Sequence, residues 1–283
     1  MSGYYDLPLL KPPVWTWEVP AYFFAGGAAG AAAVIGAVAR ATGAPQTLVR
    51  DARWMAAVGG AASPALLISD LGRPERFLNM LRVFKLQSPM SVGAWTLVAF
   101  SSTAAASALA DAVQQRTNAL LPIRQVTDAA GLLSAATGLV LSTYPGVLLG
   151  ATAIPVWSRD VKLLPLQSGA SSLGAAASLL ELAGHRHRAL HYIALGAAAV
   201  DSIAAARVAR TSFGTQPGES TGTQLVRAGT VLAGPVPLAL RLLGGRSRSV
   251  RQVAAVTAIA GSLLTRIGWV HAGRSSALST RSE

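Results

Sequence analysis

Residues 20–39 read PAYFFAGGAAGAAAVIGAVA, a run without a single charged side chain that stops at Arg40. A helix rises about 1.5 Å per residue, so a run of this length reaches across the ~30 Å hydrocarbon core of a bilayer. Comparable apolar runs recur at 53–70, 91–110, 126–149, 163–183, 189–209, 224–243 and 250–270. The expected fold is therefore an all-α integral membrane protein with about eight transmembrane helices. Composition agrees: 52% of residues are hydrophobic and 13% charged, and the mean hydropathy is +0.44. A soluble domain carries about a quarter charged residues. Gly26 and Gly30 lie four apart in the first run, the spacing at which small residues let two membrane helices approach closely.

The chain divides near Pro155-Val156-Trp157-Ser158-Arg159-Asp160. Residues 1–157 are expected to form a first four-helix bundle with elaborate loops, residues 158–273 a second with short basic connectors, and residues 274–283 a disordered polar tail. The stretch 72–88 is too polar to span. Its Phe77, Leu78, Leu81 and Phe84 recur at helical spacing, which predicts a short interfacial helix.

The net charge of +12 would suggest nucleic acid in a soluble protein. Here the arginines cluster at span ends, where they snorkel to the surface of the lipid bilayer, so nucleic-acid binding is set aside. Positive charge is divided almost equally between the two faces. Discounting the arginines that belong to motifs at the N-terminal face places the other face in the cytoplasm and the N-terminal face outside it. The N-terminus has no basic flank before the first run, so the first span is expected to be retained in a multi-pass plasma-membrane protein.

Cysteine is absent. That rules out thiolate-held iron–sulfur clusters and cysteine zinc sites within the chain. The histidines are His185, His187, His191 and His271. The first three lie at the start of the sixth span at one face and His271 follows the eighth at the other, too far apart to ligate one haem across the bilayer. No haem, metal or flavin is expected in this chain.

An odd number of crossings changes face, and four motifs fall on the N-terminal one. They are Trp15-Thr16-Trp17-Glu18-Val19-Pro20 with Tyr22, Asp70-Leu71-Gly72-Arg73-Pro74-Glu75-Arg76-Phe77, Ser88-Pro89-Met90-Ser91-Val92-Gly93-Ala94-Trp95, and Tyr144-Pro145-Gly146. Trp15, Trp17 and Tyr22 suit an aromatic belt at the headgroup level, although a belt has no use for Glu18. Gly72 can stop a helix in the left-handed conformation, and Pro74 holds Arg73 out of the helical region; the result is a fixed turn, structural or functional. Pro145 frees a backbone carbonyl beside Tyr144. Asp201 lies inside the sixth span, and Asp128 and Glu181 lie near the opposite face. Intramembrane acids are candidates for function, here a proton path; the alternatives are a buried partner for arginine or serine at Asp201 and ordinary interfacial acids at Asp128 and Glu181.

These residues resemble the NrfD-like family of polysulfide-reductase-type membrane subunits, over nearly the whole chain. The likeness is most specific in Trp15–Gly27, Asp70–Phe77, Ser88–Ser91 and Tyr144–Leu149, followed by Pro155 and Trp157. It implies eight helices in two four-helix bundles and a quinone site in the first. It implies a peripheral ferredoxin-like iron–sulfur subunit beside that site and a catalytic subunit, often a molybdenum or tungsten enzyme. The chain would not be catalytic on its own; it would exchange electrons between menaquinone or ubiquinone and the iron–sulfur partner. The position matching the family's quinone-binding tyrosine is Tyr144. Around it, Trp15, Trp17 and Tyr22 are expected to wall the ring, with Glu18, Asp70 and Arg73 managing the proton. Arg73, Glu75, Arg76 and Phe77 are expected to dock the partner. The competing reading is a solute or ion transporter built around Asp201, but transporters place polar groups near the midplane, whereas here they gather at one face.

Overall fold

The computed structural model describes residues 10, 12–73, 75–117, 121–159, 161–212, 220–244 and 247–279. Pro74, the connector 214–219 and the last four residues lie outside them. The described residues are helical, without a strand. The helices are α1 (Glu18–Ala41), α2 (Gln46–Asp70), α3 (Glu75–Met80), α4 (Pro89–Thr117), α5 (Leu121–Gly150), α6 (Pro155–Ser158), α7 (Leu163–Leu182), α8 (Arg188–Ser212), α9 (Thr221–Ala233), α10 (Pro235–Gly244) and α11 (Arg248–Ser279).

Six stretches are long and apolar enough to cross a membrane: α1, α4, α5, α8, α9 with α10, and α11. The other two expected spans coincide with α2 and α7, which are long but less apolar. Several of their polar residues are turned inward: Arg53 and Ser63 of α2 and Gln167, Ser171, Ser172 and Ser178 of α7 are buried. The span expected at 224–243 is not one continuous helix. Gly234 leaves helical geometry at φ −109°, ψ −85°, and Pro235 opens α10. The tail also differs from expectation, because α11 continues through Arg274 to Ser279.

Small residues set the packing. α1 packs on α2 and α5, and α4 packs on α5 and α2; α7 packs on α8 and α11, and α9 on α11. Across the middle, α1 and α5 meet α7, and α1 also meets α11. Gly30 and Gly138 bring α1 and α5 backbone to backbone. A Cβ added at Gly30 would stand 2.3 Å from the Gly138 carbonyl oxygen. Pro64 inside α2 lacks an N–H, which leaves the Gly60 carbonyl without its helical donor. The Ser101 hydroxyl of α4 donates to that carbonyl at 2.6 Å, so the break in one helix is closed by its neighbour.

Candidate functional site

The helix ends interlock at the N-terminal face. Residues 12–17 enter as a strap before α1. The Thr16 N–H donates to Asp70 Oδ1 at 3.2 Å, and its hydroxyl lies 2.7 Å from the same oxygen and against Glu18 Oε2. One hydroxyl proton therefore stands between two carboxylates. At the other end of the strap, Arg274 of α11 donates through Nε to the Pro13 carbonyl at 3.2 Å and through Nη2 to the Trp15 carbonyl. Gly72, at φ +64°, ends α2 as its sequence position predicts.

Trp15 stacks on Trp157, with centroids 5.3 Å apart at 15°, and meets Phe23 edge-on at 6.1 Å. Trp157 is fully buried and donates through Nε1 to the Trp269 carbonyl at 3.0 Å. Gly273 leaves its slot open, since a Cβ there would meet the indole at 1.9 Å. Behind this aromatic wall lies a cleft of about 90 Å³, lined chiefly by Trp15, Val19, Tyr22, Leu67, Asp70, Met90, Gly93 and Tyr144. The four sequence motifs thus meet at one cleft. Tyr144 reaches across from α5 and donates to the Pro89 carbonyl at 3.1 Å. Its ring lies in the notch of Gly93, where a Cβ would stand 2.1 Å from Tyr144 Cζ. Apolar walls with a few convergent polar groups are the usual make-up of a small-molecule site.

Of the residues expected at this site, Trp15, Tyr22, Asp70 and Tyr144 line the cleft. Glu18 sits beside it through Thr16. Trp17 does not line it: it is 69% exposed on the outer surface, where a tryptophan suits the headgroup level. Arg73 is exposed on the turn outside the cleft. Glu75 and Arg76 are exposed on α3, as a docking surface requires, whereas Phe77 is buried in the core. The amphipathic period of α3 turns Phe77 inward and leaves Leu78, 68% exposed, outside. Thr16, Gly93, Met90 and Arg274 also belong to the site, although the sequence does not single them out as site residues. Gly93 and Met90 belong to the motif that begins at Ser88, but Arg274 carries no signal in sequence, because its polar surroundings read as tail.

The three acids expected on a proton path are placed apart. Asp128 accepts from Arg40 at 3.0 and 2.9 Å and from Arg53 at 3.1 Å; Glu181 is held by Arg241 at 3.0 and 2.7 Å. Both sit at the face opposite the cleft, locked by arginines. Asp201 is buried within α8 facing Gln167 of α7; neither carboxylate oxygen closes a hydrogen bond among the described residues, and the Gln167 amide is likewise unpaired. The neighbouring buried cation is Arg266, which donates to the Phe23 carbonyl at 3.1 Å, to the Ser262 carbonyl at 2.8 Å and to Ser172 Oγ at 2.7 Å. Arg266 therefore ties α1, α7 and α11 together directly behind Phe23.

The family model NrfD_2, polysulfide reductase, matches residues 1–281 of the chain. No curated protein matches it.

Proposed function

The chain belongs to the NrfD-type polysulfide reductase family, and on that premise we propose that it is the quinone-reactive membrane anchor of an oxidoreductase complex. Membership makes it a multi-pass membrane subunit of a redox complex, in a family whose members assemble with iron–sulfur and catalytic subunits. In our reading α2 and α7 cross the membrane together with the six apolar segments, and α9 and α10 make one broken crossing. The eight crossings form two four-helix bundles, α1, α2, α4 and α5 beside α7, α8, α9–α10 and α11. The alternation of contacts supports this: Thr16–Asp70 and Tyr144–Pro89 lie at one end of the helices, Arg40–Asp128 and Arg241–Glu181 at the other.

The observation that carries the functional reading is the Tyr144 hydroxyl at an apolar cleft that also holds the Tyr22 phenol and one carboxylate, Asp70. A quinone is a flat apolar ring with two carbonyl acceptors. Trp15, Val19, Tyr22 and Leu67 would enclose the ring. Tyr144 would orient one carbonyl by giving it the hydrogen bond that Pro89 now accepts. Oxidation of a quinol releases two electrons and two protons. Asp70, bound by Thr16 and close to Glu18, stands between the cleft and the aqueous face, where those protons leave or enter. Menaquinone and ubiquinone both carry the required carbonyls. The chain holds no haem, metal or flavin in this reading. Electrons pass between the quinone and an iron–sulfur subunit docked over the turn after α2 and over α3, and onward to a catalytic subunit of the molybdenum or tungsten type. Asp201 is the one acid of the three not bonded to an arginine, and so is better suited than Asp128 or Glu181 to hold a proton inside the membrane.

Tyr144→Phe tests the site. It removes one hydrogen bond, worth about 0.5–1.5 kcal/mol, and is expected to weaken quinone turnover or apparent affinity up to about tenfold while the complex still assembles. Unchanged quinone kinetics in an assembled Tyr144→Phe complex would remove Tyr144 from the site. The docking surface has its own test. Arg73→Glu with Arg76→Glu reverses two exposed charges and is expected to release the iron–sulfur subunit from membranes on washing at moderate salt. Retention equal to wild type would move the interface elsewhere.

A further inference from the structure

At the face opposite the cleft, α7 ends at Leu182 and the chain reverses through Gly184, which takes φ +104°. The His185 N–H donates back to the Leu180 carbonyl at 3.2 Å and the Gly184 N–H to the Glu181 carbonyl at 3.1 Å. This closes the helix and projects His185-Arg186-His187 as a tight turn. His185 Nε2 is fixed by Asp51 Oδ2 of α2 at 2.9 Å. The turn faces the first turns of α11, which bring Arg248, Arg251 and Gln252. Together they line a groove of about 80 Å³.

The charge in this groove is unbalanced. Among the described residues its only acid is Glu181, and both oxygens of Glu181 are taken by Arg241. Among the described residues no carboxylate pairs with Arg186, Arg248 or Arg251. Three guanidinium groups therefore converge on one groove without a counter-anion from the protein. Guanidinium forks match phosphate oxygens bidentately. The rim is apolar: Leu182 is 40% exposed there, and Val256, one turn beyond Gln252 and 54% exposed, continues along α11 toward the bilayer core.

We propose that this groove binds the phosphate headgroup of an anionic phospholipid, with the acyl chains lying along the exposed side chains of α7 and α11. A soluble phosphate would use the arginines but leave the apolar rim unmatched, whereas a phospholipid satisfies both. Basic pockets between membrane helices at the interface are the usual seat of such headgroups. Bound there, the lipid joins the α7–α8 turn to the start of α11.

The experiment is native mass spectrometry of the purified full chain, titrated with phosphatidylglycerol or phosphatidylcholine. Wild type is expected to retain phosphatidylglycerol preferentially. Arg248→Gln with Arg251→Gln should weaken that retention by about tenfold or more and leave phosphatidylcholine unchanged. Arg251→Lys, which keeps the charge but loses the fork, should fall between. Arg188→Gln, an exposed neighbour outside the groove, should change nothing, and helicity by circular dichroism checks that each variant folds. Equal retention of the two lipids by wild type, or full phosphatidylglycerol retention by the double variant, would overturn the site. Equal loss in Arg188→Gln would overturn it too, by assigning the effect to surface charge in general. Displacement of the lipid by inorganic phosphate at matching concentration would overturn the lipid assignment in favour of a soluble anion.

Discussion

Gly93→Ala is expected to cut quinone-linked turnover by about tenfold or more, a larger loss than Tyr144→Phe gives. The added Cβ would stand 2.1 Å from Tyr144 Cζ and 2.2 Å from its hydroxyl, far inside contact distance. The ring cannot yield by a small shift, because it is seated on the first turn of α4 and bonded to Pro89 there. Either Tyr144 swings into the cleft and fills it, or α4 moves off α5. Overpacking of this kind costs about 1–3 kcal/mol. The two responses separate experimentally. A swung tyrosine leaves assembly and thermal stability near wild type while quinone affinity falls, whereas a shifted α4 lowers stability as well. Wild-type quinone kinetics in Gly93→Ala would show that the position of Tyr144 does not matter to the reaction.

Arg53→Ala is expected to lower stability by about 3–5 kcal/mol, a larger cost than overpacking at Gly93. Arg53 is 8% exposed and donates to Asp111 Oδ1 at 2.8 Å and to Asp128 Oδ1 at 3.1 Å, joining α2 to α4 and α5. Asp111 is 2% exposed, and Gln115 supports its other oxygen at 2.6 Å. Without Arg53 that carboxylate stays buried with amide donors alone, and an uncompensated buried charge is what makes breaking such a pair costly. The side chain also lines a cavity of about 210 Å³ beside Ala56 and Ala104, which its truncation would enlarge. Asp111→Asn in the Arg53→Ala background should recover part of the loss, because it removes the stranded charge. Denaturation of the detergent-solubilised chain measures both. A cost below about 1 kcal/mol for Arg53→Ala, the range of an exposed pair, would mean that the network is solvated.

Gly93 and Arg53 mark what is legible in the sequence and what is not. Apolar runs and alternating faces place the helices, and the same alternation brings Trp15, Asp70, Gly93 and Tyr144 to one end, because a membrane restricts the chain to straight crossings. The sequence does not reveal which polar groups pair inside. Arg53 and Asp111 stand at the edges of the expected spans. In the fold, α2 starts before its apolar run and α4 continues past its own, so both fall within helix and face each other. Nor does it reveal which way a short amphipathic helix turns, which is why Phe77 is expected at a docking surface and lies in the core. Trp17 and Trp15 look alike in sequence. The strap held by Asp70 and Arg274 sends one inward onto Trp157 and leaves the other outside.

The proposal that quinone reacts in the N-terminal cleft is tested most directly by photolabelling the assembled complex in native membranes with an azidoquinone and mapping the modified peptides. Label is expected in the segments that line the cleft, 15–23, 67–71, 80–94 and 144–148, competed away by excess unlabelled quinone and weakened in Gly93→Ala. Competable label confined instead to the arginine-lined cavity of Arg40, Arg53 and Asp128 at the opposite face, with none at the cleft, would contradict it.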